Sequence, residues 1–166
     1  NMKLVIVGAN ANTPEYESYL RLMAKDRDNI LFLGERYGRE LEELFSHAAL
    51  FVQPSESEGM SIVLLEAMAH GLPVIASDIR VNREVLSDAG LLFQNKNVSD
   101  LRDTMAFLLN RSEEAESLGA RAKKRIEEEY SWDAAAGKTL RVYERLFPSK
   151  WPFSRTVRRL SSESLP

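Results

Sequence analysis

Leu50-Phe-Val-Gln-Pro-Ser-Glu-Ser-Glu-Gly-Met-Ser-Ile-Val-Leu-Leu-Glu-Ala-Met-Ala-His-Gly-Leu-Pro-Val-Ile-Ala-Ser-Asp78 reads as strand, loop, helix and strand in one run. Leu50 to Gln53 is a short apolar strand bounded by Pro54, and Ser61 to Ala69 reads as a helix, with Met60, Val63, Leu64, Ala67 and Met68 on one apolar stripe. Gly71 stands where a left-handed helix end belongs, and Pro73 blocks continuation before the strand Val74 to Ser77. A strand that returns to a parallel neighbour through a helix is the unit of an α/β fold.

The same alternation extends both ways. Lys3 to Gly8 and Asn29 to Gly34 read as strands, each followed by a helix, from about Pro14 to Lys25 and from Arg39 to His47. Downstream, a short helix over Arg83 to Ser87 leads to a strand at Leu91 to Phe93. Three helical stretches follow, at about Val98 to Leu109, Glu113 to Tyr130 and Trp132 to Phe147. Short apolar strands between helices predict a Rossmann-like, doubly wound parallel sheet of about five strands, covered on both faces, with ligands outside the carboxyl ends of its strands. The turn at Gly8 and the loop carrying Glu58 both lie at such ends.

That loop has the chemistry of an anion site. Gly59 and Ser61 precede the helix, so N–H groups without intrahelical partners and the positive end of the helix dipole face whatever occupies the loop. Gly59 holds no side chain against a phosphate. The carboxylate of Glu58 has the chemistry to accept hydrogen bonds from sugar hydroxyls, and that of Glu66, separated from it by seven residues, from the vicinal hydroxyls of a ribose. Ser-Glu-Ser-Glu-Gly is also ordinary chemistry for a helix start, where hydroxyls cap and acids complement the dipole. For Glu66 the alternative is a solvated helix face with His70 at i+4. Glu66 is the one charge in a helix apolar nearly all round, a pattern that predicts burial and therefore a carboxylate with partners.

Composition narrows the classes. The chain has 166 residues, 44% of them hydrophobic, enough for a real core. Its net charge is −3, but residues 148–166 carry four cations against one carboxylate, which leaves −6 for residues 1–147. So acidic a body argues against a nucleic-acid surface. The chain lacks cysteine, so disulfides and thiolate metal sites are excluded, and a reducing cytosol fits. No His, Asp or Glu cluster has metal-ligand spacing. His70 reads as a helix C-terminal residue, Asp78 as a turn residue, and Asp26 to Asp28 and Glu127 to Glu129 as solvated charge.

Over about Lys3 to Phe147 the sequence resembles glycosyltransferase family 4, the retaining enzymes of GT-B architecture. The resemblance rests on an ordered set: Ile-Val-Gly8, Phe-Leu-Gly34, Pro54-Ser55 before Glu58-Gly59, Leu65-Glu66-Ala67-Met68-Ala69, Gly71-Leu-Pro-Val74, Asn82-Arg-Glu84, Gly90-Leu-Leu92, Ser131-Trp132 and Tyr143-Glu144. It implies a donor-binding, C-terminal half of a retaining hexosyltransferase that takes a nucleotide-diphospho-sugar as substrate, without cofactor or metal, and passes the sugar to a glycan or lipid-linked acceptor. It implies Glu58 as the catalytic carboxylate at the donor sugar, Gly59, Met60 and Ser61 at the diphosphate or sugar, and Glu66 at the ribose. Gly8, Glu35 and Arg36 complete the donor site, the turn at Glu35 to Tyr37 lying near the base.

Departures from the family pattern are equally specific. The strand and helix that usually precede the Lys3 strand, with a basic Arg and Lys pair for the diphosphate, are absent, as is the N-terminal half that holds the acceptor. Val81 stands where glycine is common. The expectation is a domain over 1–147, truncated at its N-terminal end and inactive alone, followed by a basic and aromatic tail over 148–166. Its place would be the cytoplasm or the inner face of the membrane. The alternatives are a partner-dependent nucleotide-sugar-binding subunit and half of a GT-B-type sugar epimerase.

Overall fold

The computed structural model describes residues 2–8 and 14–147; the tail over 148–166 lies outside them. By its contacts the chain divides after Ala48 into two compact units.

The first unit contains β1 (Leu4–Val7), α1 (Pro14–Met23), β2 (Ile30–Gly34) and α2 (Gly38–His47). β1 and β2 pair in parallel, Leu4 opposite Ile30 and Val7 opposite Gly34, with an irregularity between Ile6 and Val7. Gly8 continues the ladder by donating its N–H to the Gly34 carbonyl at 2.9 Å. Both glycines have positive φ, 128° and 67°, which a side chain would strain. Two neighbouring strands therefore end together in left-handed backbone.

The second unit contains β3 (Phe51–Gln53), α3 (Ile62–Ala69), β4 (Val74–Ser77), α4 (Arg80–Leu86), β5 (Leu91–Phe93), α5 (Val98–Leu109), α6 (Ser112–Arg125) and α7 (Trp132–Leu146). The long helix expected over Glu113 to Tyr130 closes in a π turn at Ile126–Tyr130. The strands are parallel in the order β3-β4-β5, with Phe51 opposite Val74 and Ile75 opposite Leu91. All four residues of β4 are buried. On one face Ile75 packs with Phe93, Leu108 and Leu118, joined by Val52, Leu91 and Met105. Leu64, Met68 and Leu86 are also fully buried, and α3 packs on both β4 and α6. Each such side chain contributes about 1.5–3 kcal/mol relative to exposure.

Two features position the α3 segment. Ser61 caps it, its Oγ accepting from the Leu64 N–H at 3.3 Å. At the other end Gly71 (φ 72°) donates to Met68 O and Leu72 to Ala67 O, the doubled closure of a Schellman end. α6 then comes so close to this turn that a Cβ on Gly119 would stand 2.1 Å from the Gly71 carbonyl oxygen.

The described strands form two parallel hydrogen-bonded ladders, β1-β2 in the first unit and β3-β4-β5 in the second. Within the first unit β1 pairs with β2, and Leu4, Val5 and Val7 are 45%, 37% and 40% exposed. An apolar run dictates extended backbone, but the number of neighbours decides burial.

Candidate functional site

The loop between β3 and α3 starts at Gln53, the last residue of its strand, which points inward and is 5% exposed. Its amide joins two residues of the loop. Nε2 donates to Glu58 Oε1 at 2.9 Å, and Oε1 accepts from Ser61 Oγ at 3.0 Å. Glu58 is half-buried beside exposed Gly59 and Met60. The carboxylate is therefore tied to the start of α3 through a continuous set of hydrogen bonds, while its other oxygen is left for a further donor. By helix geometry the Ile62 and Val63 N–H groups have no intrahelical acceptor, so the start of α3 offers hydrogen-bond donors and positive partial charge to the loop.

Glu56, Ser57, Glu58 and Gly59 form one wall of an open depression of about 360 Å³, and Ile79, Arg80, Val81 and Glu84 form the other. The second wall belongs to α4, whose register is fixed from below. Asn82 is fully buried and donates to Ser77 O at 2.9 Å and Ser77 Oγ at 3.2 Å, and that hydroxyl donates to Ser55 O in the Glu58 loop. The guanidinium of Arg125 caps the other end, donating to Val85 O at 2.7 Å and Glu84 O at 3.0 Å. Arg80 lies at the rim in an exposed pair with Glu84, 2.9 Å apart. Opposite it, Lys96 pairs with Glu56 at 2.9 Å. Arg83 grips Asp78, and its hydrogen bond holds that carboxyl below the usual aspartate range.

The expected site residues fall into two groups, one in each unit. Glu58, Gly59, Met60, Ser61 and Glu66 share the β3–α3 segment; Gly8, Glu35 and Arg36 share the carboxyl ends of β1 and β2. In the second group Arg36 donates to Glu35 O at 2.7 Å and approaches Glu40 at 3.4 Å. The Tyr37 hydroxyl is raised above its ordinary pKa by a hydrogen bond to Glu35 and by that residue's charge. Glu66 is exposed, not buried as the apolar pattern of its helix predicted, and Ile62, one turn before it, is 70% exposed. Hydrophobic periodicity does not mark which end of a helix the fold leaves open.

Gln53, Ser77 and Asn82 were given no role at the site by the sequence, although Asn82 stands in the Asn82-Arg-Glu84 stretch of the family resemblance. The signal for Gln53 was a lone amide closing the strand Leu50-Phe-Val-Gln53. A buried polar side chain requires partners, and here the partners are the loop. Among the described residues no group of His, Cys, Asp and Glu is placed to hold a metal ion, and no helix is long and apolar enough to cross a membrane.

This arrangement has relatives. The chain is 34% identical over 146 residues to an uncharacterized glycosyltransferase of Methanocaldococcus jannaschii, covering 87% of this chain and 37% of the relative. It spans well under half the length of the curated relatives it matches. Sucrose-phosphate synthase from Thermosynechococcus elongatus superposes with a TM-score of 0.77 at 25% identity, over 89% of this chain and 39% of its own. The Anabaena protein HepE, solved in complex with UDP-glucose, superposes at 0.69 with 20% identity, over 75% of this chain and 36% of its own. The parallel α/β architecture matches the C-terminal part of GT-B glycosyltransferase structures. The family model for glycosyl transferases group 1 matches residues 1–125, and the chain belongs to that family.

Proposed function

We propose that this chain is the donor-binding part of a retaining glycosyltransferase, and that its β3–α3 loop receives the sugar and diphosphate of a nucleotide sugar. The observation that carries the reading is the carboxylate of Glu58, held by Gln53 beside the bare backbone of Gly59 and the start of α3. A carboxylate accepts from sugar hydroxyls, while a helix N-terminus favours the anionic diphosphate, so adjacent parts of one ligand meet opposite kinds of group. Glu66, exposed on α3, takes the ribose hydroxyls.

In the reaction the bond between the anomeric carbon and the diphosphate oxygen breaks. An acceptor hydroxyl forms the new bond with retention, and its proton passes to the departing diphosphate. Charge builds on that leaving group and on an oxocarbenium-like sugar, and the α3 terminus and Glu58 are placed for the two respectively. The sugar passes to a glycan or a lipid-linked acceptor.

The test is calorimetric titration of the chain with UDP-glucose, ADP-glucose and GDP-mannose beside UDP, ADP and GDP. Glu58→Gln is expected to weaken binding of the favoured nucleotide sugar by about 1.5–3 kcal/mol, the scale of a hydrogen bond to a charged group, and to leave the bare nucleotide unchanged. Equal binding of the nucleotide sugar by both proteins would contradict the assignment.

A further inference from the structure

We propose that Gln53 is a positioning residue for Glu58, fixing which oxygen of that carboxylate faces the donor sugar; this rests on the donor-site reading above. The argument is one of hydrogen-bond direction. The Leu64 N–H donates to Ser61 Oγ, and Ser61 donates its single hydroxyl proton to Gln53 Oε1. A carboxylate only accepts, so the NH2 end of the amide must face Glu58, which it meets at 2.9 Å, and the carbonyl end is left to take the Ser61 proton. Every donor in the series points the same way, from the positive terminus of α3 to the carboxylate. Hydrogen bonds aligned in this manner polarise one another.

Burial makes the arrangement rigid. Gln53 and Ser61 are 5% and 7% exposed, so neither exchanges its partner for water at little cost. Glu58 is half-buried and stands on a loop, where a carboxylate without a buried partner samples several rotamers. A side chain that must meet sugar hydroxyls is better fixed before the ligand arrives, since ordering it on binding costs affinity. Strand β3 supplies the fixed point, because Gln53 pairs in register with Ala76 of fully buried β4.

Two near-isosteric substitutions separate the halves of the amide. Gln53→Met removes both hydrogen bonds. Gln53→Glu keeps an acceptor for Ser61 but replaces the donor facing Glu58. In the titration of the full chain, each is expected to weaken the favoured nucleotide sugar about tenfold while leaving the bare nucleotide within about twofold, a selectivity that general loss of structure would not produce. In a Glu58→Gln background the further effect of Gln53→Met is expected to fall below about twofold, because the residue then has no carboxylate to position.

If Gln53→Met unfolds the chain, Gln53→Glu with its intact cap supplies the same comparison. Unchanged sugar selectivity in the folded variants would overturn the proposal, as would equal losses in the wild-type and Glu58→Gln backgrounds. If wild type binds none of the nucleotide sugars, or Glu58→Gln binds them as wild type does, the donor-site reading itself has failed. A normal effect of Glu58→Gln with none from Gln53 refutes the positioning role alone.

Discussion

β1 and β4 are four-residue strands of similar sequence, Leu-Val-Ile-Val and Val-Ile-Ala-Ser, yet no residue of β1 is buried and every residue of β4 is. The difference lies in company. β4 has a parallel neighbour on each edge and α3 and α6 packed against it, whereas β1 pairs along one edge with β2. A parallel strand earns its stability from its neighbours, so the same kind of apolar run is a core element in one unit and a partly exposed strand in the other.

That contrast is broken most readily by truncation. Ile75→Ala is expected to cost about 2–5 kcal/mol, the range for deleting a fully buried branched chain, while Val5→Ala costs less than about 1 kcal/mol. Denaturant unfolding of both variants decides it, and similar losses would mean that β1 is buried in solution. Gly119→Ala probes the close approach of α6 to the Gly71 turn. Its Cβ would collide with a backbone oxygen, so a loss of about 1–3 kcal/mol is expected in the same measurement. Ser61→Ala should cost about 1 kcal/mol through the lost cap of α3.

The smallest effect concerns pH. Hydrogen bonding to Arg83 lowers the Asp78 pKa in the folded chain, so the pair stabilises the fold above the ordinary aspartate pKa, and the contribution is lost as pH falls through the lowered value. Thermal melts of wild type and Asp78→Asn should therefore differ slightly at neutral pH and converge in acid. Divergence in acid would reverse the sign. The Asp78 side chain is 30% exposed and that of Arg83 63%, so solvent keeps the difference small.

Much of this fold was legible. β4 and β5 lie where the apolar runs place them, and Gly71 with Pro73 marks the end of α3 because only certain residues permit that turn. The long-range approaches were not. Gly119 looks like a poor helix former until the Gly71 carbonyl is found against it, and nothing within α6 announces that contact. The loop residues Glu58, Gly59 and Ser61 could be singled out because their chemistry is local to one segment. Gln53 could not, since its role depends on how the chain folds back between Glu58 and Ser61. The exposure of Glu66 depended likewise on which helix ends the fold covers.

The account's central claim, that the β3–α3 loop receives the donor, is tested most directly by amide and side-chain NMR during titration with whichever of UDP-glucose, ADP-glucose and GDP-mannose binds. The backbone signals of Gly59, Met60, Ser61 and Ile62 and the Gln53 side-chain NH2 should shift with nucleotide sugar, and the Gln53 and Glu58 signals should shift far less with the bare nucleotide. Saturating shifts confined to other residues, with this loop unmoved, would contradict it.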